Sequence, residues 1–147
     1  MKIAIGSDHG GYELKEFLKL YFKGQDISYD DFGTDSLDSV DYPDFGKKVA
    51  EAVLTKSYDF GIVICGTGIG ISIAANKVSG IRAALVYNEE TARLAKEHNH
   101  ANIIALGGRT TKPEDAVKIV KAFINATFEE RHQKRLDKIS QIEESLK

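Results

Sequence analysis

Short apolar runs rich in β-branched residues alternate along this chain with stretches whose apolar residues recur every three or four positions. The first pattern is that of strands buried on both faces, the second that of amphipathic helices. Lys2 to Ser7 reads as a first strand, followed by Asp8-His9-Gly10-Gly11. Leu14, Phe17, Leu18 and Tyr21 then mark a helix that closes near Gly24, and Ile27 to Phe32 is a second strand. A polar loop from Thr34 to Tyr42 precedes Pro43, which can open a helix without sacrificing a hydrogen bond. That helix presents Phe45, Val49, Ala52 and Val53. Ile81 to Tyr87 is a further strand, and Asn88 is the expected N-cap of a helix reaching about Glu97. After His98-Asn99-His100, Asn102 to Leu106 forms the last strand. Thr111-Lys-Pro-Glu114 has the spacing of a capping box and predicts a helix to about Ala126. A final helix is expected from about Phe128 to the end.

The chain is organised around its middle, Asp59 to Lys77. Phe60 to Ile64 is an apolar strand. From Gly68 onward Ile69, Ile73 and Asn76 recur at helical spacing. Between them, Cys65-Gly66-Thr67-Gly68-Ile69-Gly70 places a thiol before three glycines at alternate positions. Glycines let the backbone turn sharply and let a ligand approach the peptide N–H groups. A helix N-terminus adds unpaired N–H donors and a partial positive charge, so the loop reads as an anion cradle. It is not a dinucleotide fingerprint, because Ile71 stands where the third glycine belongs, and no Gly-Lys-Ser/Thr follows to make a phosphate-binding P-loop. Cys65 itself has two readings. One is a small buried hydrophobe; the other is a reactive thiol in the setting that favours thiolates.

Strands alternating with helices imply a parallel sheet covered on both faces, in one domain spanning residues 1–147. Asp8-His9, Asp31, Cys65-Gly66-Thr67, Asn88 and Arg109 all follow carboxyl ends of strands, the edge where open α/β sheets bind ligands. Composition narrows the function. With 42% hydrophobic and 29% charged residues and a net charge of −2, nothing points to nucleic acid or a membrane surface. A single cysteine excludes an internal disulfide framework and fits a reducing compartment. The short apolar run at the N-terminus is not a signal peptide, so a cytoplasmic protein is expected. The four histidines, at 9, 98, 100 and 132, include no His-x-x-x-His pair, and no metal is expected.

Individually the candidate residues stay ambiguous. Asp8-His9 reads equally as a helix cap beside an exposed histidine, and His98-Asn99-His100 as an ordinary helix end. In the final helix Phe128, Ile139, Ile142 and Leu146 share one arc with Arg131 and Arg135. Two guanidinium forks on a docking face suit a phosphate or carboxylate, or an intersubunit salt bridge.

Eight segments in order carry a resemblance: Gly6-Ser-Asp-His-Gly-Gly-Tyr-Glu-Leu-Lys15, Asp31-Phe-Gly-Thr34, Asp41-Tyr-Pro43, Gly61 to Gly70, Asn76-Lys77, Glu97-His-Asn99, Gly107-Gly-Arg109 and Arg131-His-Gln-Lys-Arg135. Across nearly its whole length the chain resembles the type B ribose-5-phosphate isomerases. The resemblance implies a Rossmann-like α/β/α sandwich with a five-stranded parallel sheet and a C-terminal helix, about 128–147, in the subunit contact. It also implies a homodimer or dimer of dimers, no cofactor, and a sugar-phosphate substrate. By that resemblance Cys65 is the base, His98 opens the sugar ring and Thr67 assists. The N–H groups around Gly66, Gly68, Ile69 and Gly70 hold the enediolate. His9, Arg109, Arg131 and Arg135 meet the phosphate, while Asp8, Asp41, Tyr42 and Asn99 meet sugar hydroxyls. The rival readings are an isomerase of a six-carbon sugar phosphate, such as allose 6-phosphate or galactose 6-phosphate, and a non-catalytic sugar-phosphate or nucleotide binding module.

One expectation follows from topology alone. A helix between parallel strands runs antiparallel to them, so the helix ending near Glu97 delivers His98 and Asn99 to the edge opposite Cys65. If they share a site, a second chain supplies one half of it.

Overall fold

The computed structural model describes all 147 residues. Five strands, β1 (Lys2–Ser7), β2 (Ser28–Asp31), β3 (Phe60–Cys65), β4 (Ala83–Leu85) and β5 (Ile103–Gly107), form one sheet in the order β2-β1-β3-β5-β4. Every pairing is parallel. The helices are α1 (Tyr12–Gly24), α2 (Tyr42–Leu54), α3 (Ile69–Asn76), α4 (Glu89–Glu97), α5 (Pro113–Asn125) and α6 (Gln133–Ser145). No helix is long and apolar enough to cross a membrane.

The pleat divides the core in two. Ile3, Ile5, Phe60, Ile62, Ile64, Ile104 and Leu106 pack with Leu18 and Phe22 of α1, Ala92 of α4 and Phe123 of α5. Their neighbours Ala4, Val63, Cys65, Ile103 and Ala105 face the other way, onto Val49 and Val53 of α2 and Ile71 of α3. Each large side chain buried this completely contributes roughly 1.5–3 kcal/mol. The result is the three-layer α/β/α sandwich expected. Its chain reverses direction across the sheet between β1 and β3, the switch point where such folds bind ligands.

Local signals were read correctly where they acted locally. Pro43 lies in the first turn of α2. Asn88 caps α4, accepting from Thr91 N–H at 2.7 Å while the Thr91 hydroxyl accepts from Asn88 N–H at 3.2 Å. The Thr111–Glu114 capping box does not form. Pro113 opens α5 and keeps Lys112 extended (φ −68°, ψ 144°), so Lys112 is the N-cap and Glu114 sits too early to reach back.

Helix faces departed further. On α3 the buried residues are Ile71, Ser72 and Ala75, whereas Ile69 and Ile73 face solvent. The only polar side chains of this short helix are Ser72 and Asn76, and Ser72 lies on the buried side, so apolar spacing does not pick out its inner face. On α1, Phe17 is exposed and the polar-looking Lys15 is wholly buried. The final helix begins at Gln133, after a 3-10 turn over Glu130–His132, and not at Phe128, whose ring stacks on His100 at 4.4 Å. Only Leu136 of α6 is buried; Ile139, Ile142 and Leu146 are exposed.

Candidate active site

Three loops meet at the carboxyl edge beside the switch point. They follow β1 (Asp8 to Gly11), β3 (Gly66 to Gly68) and β5 (Gly108, Arg109), and backbone bonds lock them together. Asp8 N–H donates to Ile64 C=O at 3.2 Å, Gly108 N–H to Cys65 C=O at 2.8 Å, and Arg109 N–H to Gly66 C=O at 2.9 Å. An open cavity of about 430 Å³ lies over them, lined by Asp8, His9, Tyr42, Cys65, Gly66, Thr67, Ile69, Gly70 and Arg109. A second depression of about 270 Å³ joins it at His9 and Arg109.

Cys65 ends β3 and is only 4% exposed. Its Sγ accepts the Gly68 N–H at 3.2 Å. Gly68 reaches that position with φ +80°, a left-handed conformation that suits glycine. At Gly66 a Cβ would lie 2.9 Å from Nη1 of Arg109, so the missing side chain is what lets the guanidinium lie across the loop. Two donors of the cradle are spent inside it. Besides the Gly68 bond, Ile69 N–H donates to the Thr67 hydroxyl at 3.2 Å. Gly66 and Gly70 remain on the cavity wall, with the Tyr42 ring lying against Gly70.

Asp8 is buried and caps the turn His9–Gly11, accepting from Gly11 N–H at 3.1 Å. The cap reading of Asp8 therefore holds, and the same carboxylate also borders the cavity. His9 accepts the Val40 N–H through Nδ1 at 3.1 Å. An amide can only donate, so the neutral ring carries its proton on Nε2 and presents a donor. Asp41 stands at the α2 N-cap, makes no capping bond and lies outside the lining.

His98, Asn99, Arg131 and Arg135 are elsewhere. Arg82, just before β4, donates to the carbonyls of Asn99 (3.0 Å) and His100 (2.8 Å), tying the end of α4 to the amino edge of the sheet. There the His98 and His132 rings pack 4.4 Å apart. Arg135 donates to Nδ1 of His132 at 3.1 Å, and Arg131 to Glu129 at 2.9 Å. Burial, helped by the nearby Arg131, His98 and Arg135, pushes His132 below the ordinary imidazole range against the pull of Glu129. His98, Glu129 and His132 bring three possible metal ligands within 4.8 Å. The chemistry does not suit a cation. Arg135 fills the Nδ1 lone pair of His132, so Nε2 keeps its proton, and Arg131 already holds the carboxylate.

Sequence reasoning missed four residues here. Nothing in the sequence pattern singles out Lys15, yet its ammonium bonds Asp31 at 2.6 Å and the Thr34 carbonyl at 2.8 Å, fixing the start of the loop that carries Val40 and Asp41. Arg82, Glu129 and His132 act across elements far apart in sequence, which no local pattern reveals.

A thiol and an imidazole donor beside an exposed guanidinium, around a small cavity at a sheet switch point, define a site for acid–base chemistry on a small anionic molecule. The family model described as Ribose/Galactose Isomerase matches residues 3–139. Ribose-5-phosphate isomerase B of Escherichia coli K12 is 43% identical over 144 residues, covering 97% of both chains. The structure of the Clostridium thermocellum ribose-5-phosphate isomerase B matches with a TM-score of 0.97 at 54% identity over 100% of both chains. That of the Mycoplasma genitalium enzyme with bound ribulose 5-phosphate matches with a TM-score of 0.92 at 43% identity, over 97% of this chain and 96% of that one. The chain belongs to the ribose/galactose isomerase family.

Proposed function

We infer that this protein is an aldose–ketose isomerase interconverting D-ribose 5-phosphate and D-ribulose 5-phosphate through an enediolate, a step of the non-oxidative pentose phosphate pathway. The observation that carries the reading is the thiol of Cys65 on a cradle of backbone donors, beside His9 and Arg109, in a chain of this family. The relatives named for ribose 5-phosphate, and the one holding ribulose 5-phosphate, favour a five-carbon substrate.

The reaction needs an opened furanose ring, one base near carbons 1 and 2, and donors for the enediolate. Cys65 as thiolate moves the proton between the two carbons, with Thr67 placed to assist. Gly66 and Gly70 supply backbone donors on the cavity wall. His9 Nε2–H and Arg109 take the phosphate together with Arg131 and Arg135. Asp8, Asp41, Tyr42 and Asn99 hold hydroxyls. Two protons move and no electron leaves the substrate, so the chemistry calls for no cofactor.

His98 opens the ring, and it comes from a second copy. His98 and Cys65 sit at opposite edges of one sheet, each beside an uncovered apolar surface: Ile69 and Ile73 near the thiol, Ile139 and Ile142 on α6. A homodimer that apposes those surfaces completes two sites at once. The free thiol suits the reducing cytoplasm. Supplying ribose 5-phosphate and following ribulose 5-phosphate tests the reading, with allose 6-phosphate and galactose 6-phosphate run beside it. Faster turnover of either six-carbon substrate would overturn the assignment.

A further inference from the structure

One carboxylate oxygen, Oε1 of Glu129, faces three nitrogen donors. Arg131 holds it at 2.9 Å. His132 Nε2 stands 3.6 Å away and His98 Nε2 3.8 Å away, both beyond hydrogen-bonding reach. The His132 atom is the sharper anomaly. Its ring is 2% exposed, Arg135 fixes the proton on Nε2, and that buried N–H has no partner. Buried donors are almost always satisfied, so an orphan beside an acceptor already in use marks an arrangement that is waiting to change. The group in use is the one able to leave. Arg131 is 67% exposed, and an exposed pair of this kind is weak. A phosphate dianion, gripped by a guanidinium through two charge-assisted bonds, competes well for it.

Resting on the reading of the site given above, we propose that Glu129 is a positioning residue for His98, occupied by Arg131 until the substrate phosphate draws Arg131 away. The freed oxygen then accepts from Nε2–H of both imidazoles, whose Nε2 atoms need to move by less than about 1 Å to reach it. A carboxylate on Nε2 leaves the lone pair of His98 on Nδ1, an atom with no hydrogen bond in the chain, on a side chain 40% exposed. Ring opening follows from that tautomer. Nδ1 takes the proton of the anomeric hydroxyl while the carbonyl forms at carbon 1 and the bond to the ring oxygen breaks. The electron pair leaves on the ring oxygen, which takes the same proton back from the imidazolium. Glu129 faces the cation while it exists, as the carboxylate does in a Ser-His-Asp triad. The charged and titratable groups around His98 are Glu129, His132 and, through them, Arg131 and Arg135. The arrangement makes ring opening conditional on a phosphate, so that unphosphorylated sugars meet a less well prepared histidine.

The ¹⁵N shifts of the His98 ring report its tautomer directly, and ribitol 5-phosphate, which has no carbonyl to react, serves as the probe. In the wild-type protein the probe shifts His98 to the Nε2–H form. In Glu129→Gln it does not, and in Arg131→Ala the Nε2–H form is present before any probe is added. Kinetics give a second readout. Glu129→Gln slows turnover of ribose 5-phosphate about tenfold or more, with KM within about twofold. Solvent deuterium exchange at carbon 1 of ribulose 5-phosphate, an open chain that needs no ring opening, stays within about twofold of wild type. Glu129→Asp recovers part of the loss. An identical tautomer shift in Glu129→Gln, no preset tautomer in Arg131→Ala, or equal losses in turnover and exchange would each overturn the proposal. Failure of the wild-type protein to isomerise ribose 5-phosphate would instead overturn the functional reading, and the ligand-free Arg131→Ala spectrum tests the Glu129–His98 pairing without it.

Discussion

Gly68 donates its backbone N–H to Sγ of Cys65 at 3.2 Å, across a turn that only a left-handed residue closes. That bond fixes the sulfur at the mouth of the loop, on the wall of the cavity. The sulfur is held by backbone and not by a mobile side chain. Its position relative to the cradle is therefore set before substrate arrives.

Cys65→Ala should lower kcat by ~10²–10⁴-fold, the usual contribution of a positioned general base, with little change in the affinity for ribitol 5-phosphate. Cys65→Ser keeps the shape and an acceptor for the Gly68 N–H but replaces the thiol with a hydroxyl, a far weaker acid, so it should be nearly as slow. Steady-state rates and ligand titration check both. Near-normal turnover in either variant would make the thiol a packing residue.

Arg131→Ala and Arg135→Ala should each remove a charge-assisted contact worth about 1.5–3 kcal/mol, or roughly 10–150-fold in affinity for the phosphorylated sugar. Free ribose offers nothing for these groups to hold, so its binding should change far less. Calorimetric titration of both sugars decides the matter; equal losses would assign the two arginines to subunit contact.

The buried pair Lys15–Asp31 should matter for stability more than any surface ion pair. Lys15 is fully buried, so Asp31→Ala leaves its ammonium with the Thr34 carbonyl and a longer contact of 3.5 Å to Glu16, and should cost about 3–5 kcal/mol. Lys15→Met should cost less, because Asp31 keeps Lys19 at 2.8 Å. Burial by itself would raise the Asp31 carboxyl, but bonds from Lys15, Lys19 and the Gly33 N–H outweigh it and hold it low. A lowered carboxylate stabilises the fold above its ordinary value of about 3.9 and ceases to do so as pH falls through the folded value. Urea unfolding at fixed protein concentration, repeated between pH 7 and pH 3, measures both effects.

Two imidazoles add a second acid limb. His132 and His100 are both held below the ordinary imidazole range, in each case first by burial and then by neighbouring cations. A group depressed in the folded state stabilises it above its unfolded value, here about 6.5, and withdraws that contribution as pH falls through the folded value. Unfolding should therefore take up protons below about pH 6.5, and His132→Asn should flatten that part of the stability profile. A wild-type profile with no slope there would contradict the burial of neutral rings.

What the sequence disclosed follows from how far each cause reaches. Lys2–Ser7 and Asn88 were legible because a strand of alternating core contacts and a capping side chain are decided within a few residues. Asp8, His9, Cys65 and Arg109 could be brought together before any coordinates, because parallel strands place all their carboxyl ends at one edge. The same rule separated His98 from Cys65. The face of α3 was not legible, since its polar Ser72 turns inward while Ile69 and Ile73 turn out. The burial of Lys15 was not legible either, because lysine on a helix is nearly always solvated and its partner Asp31 lies 16 residues away. Glu129 meets His98 only because the segment before α6 returns past the end of α4, where Glu129 N–H bonds the Glu97 carbonyl.

The most direct test of a site shared between two copies is complementation. Cys65→Ala and His98→Ala homodimers should both be strongly impaired, each missing one group at every site. Under conditions that exchange subunits, a heterodimer pairs intact Cys65 with intact His98 at one site and collects both lesions at the other. An equal, randomised mixture should recover about a quarter of wild-type activity, after subtraction of the uncatalysed ring opening that serves the His98 variant. Recovery to that level places Cys65 and His98 on different chains of one site. Demonstrated subunit exchange with no return of activity would mean that each site is built within a single chain.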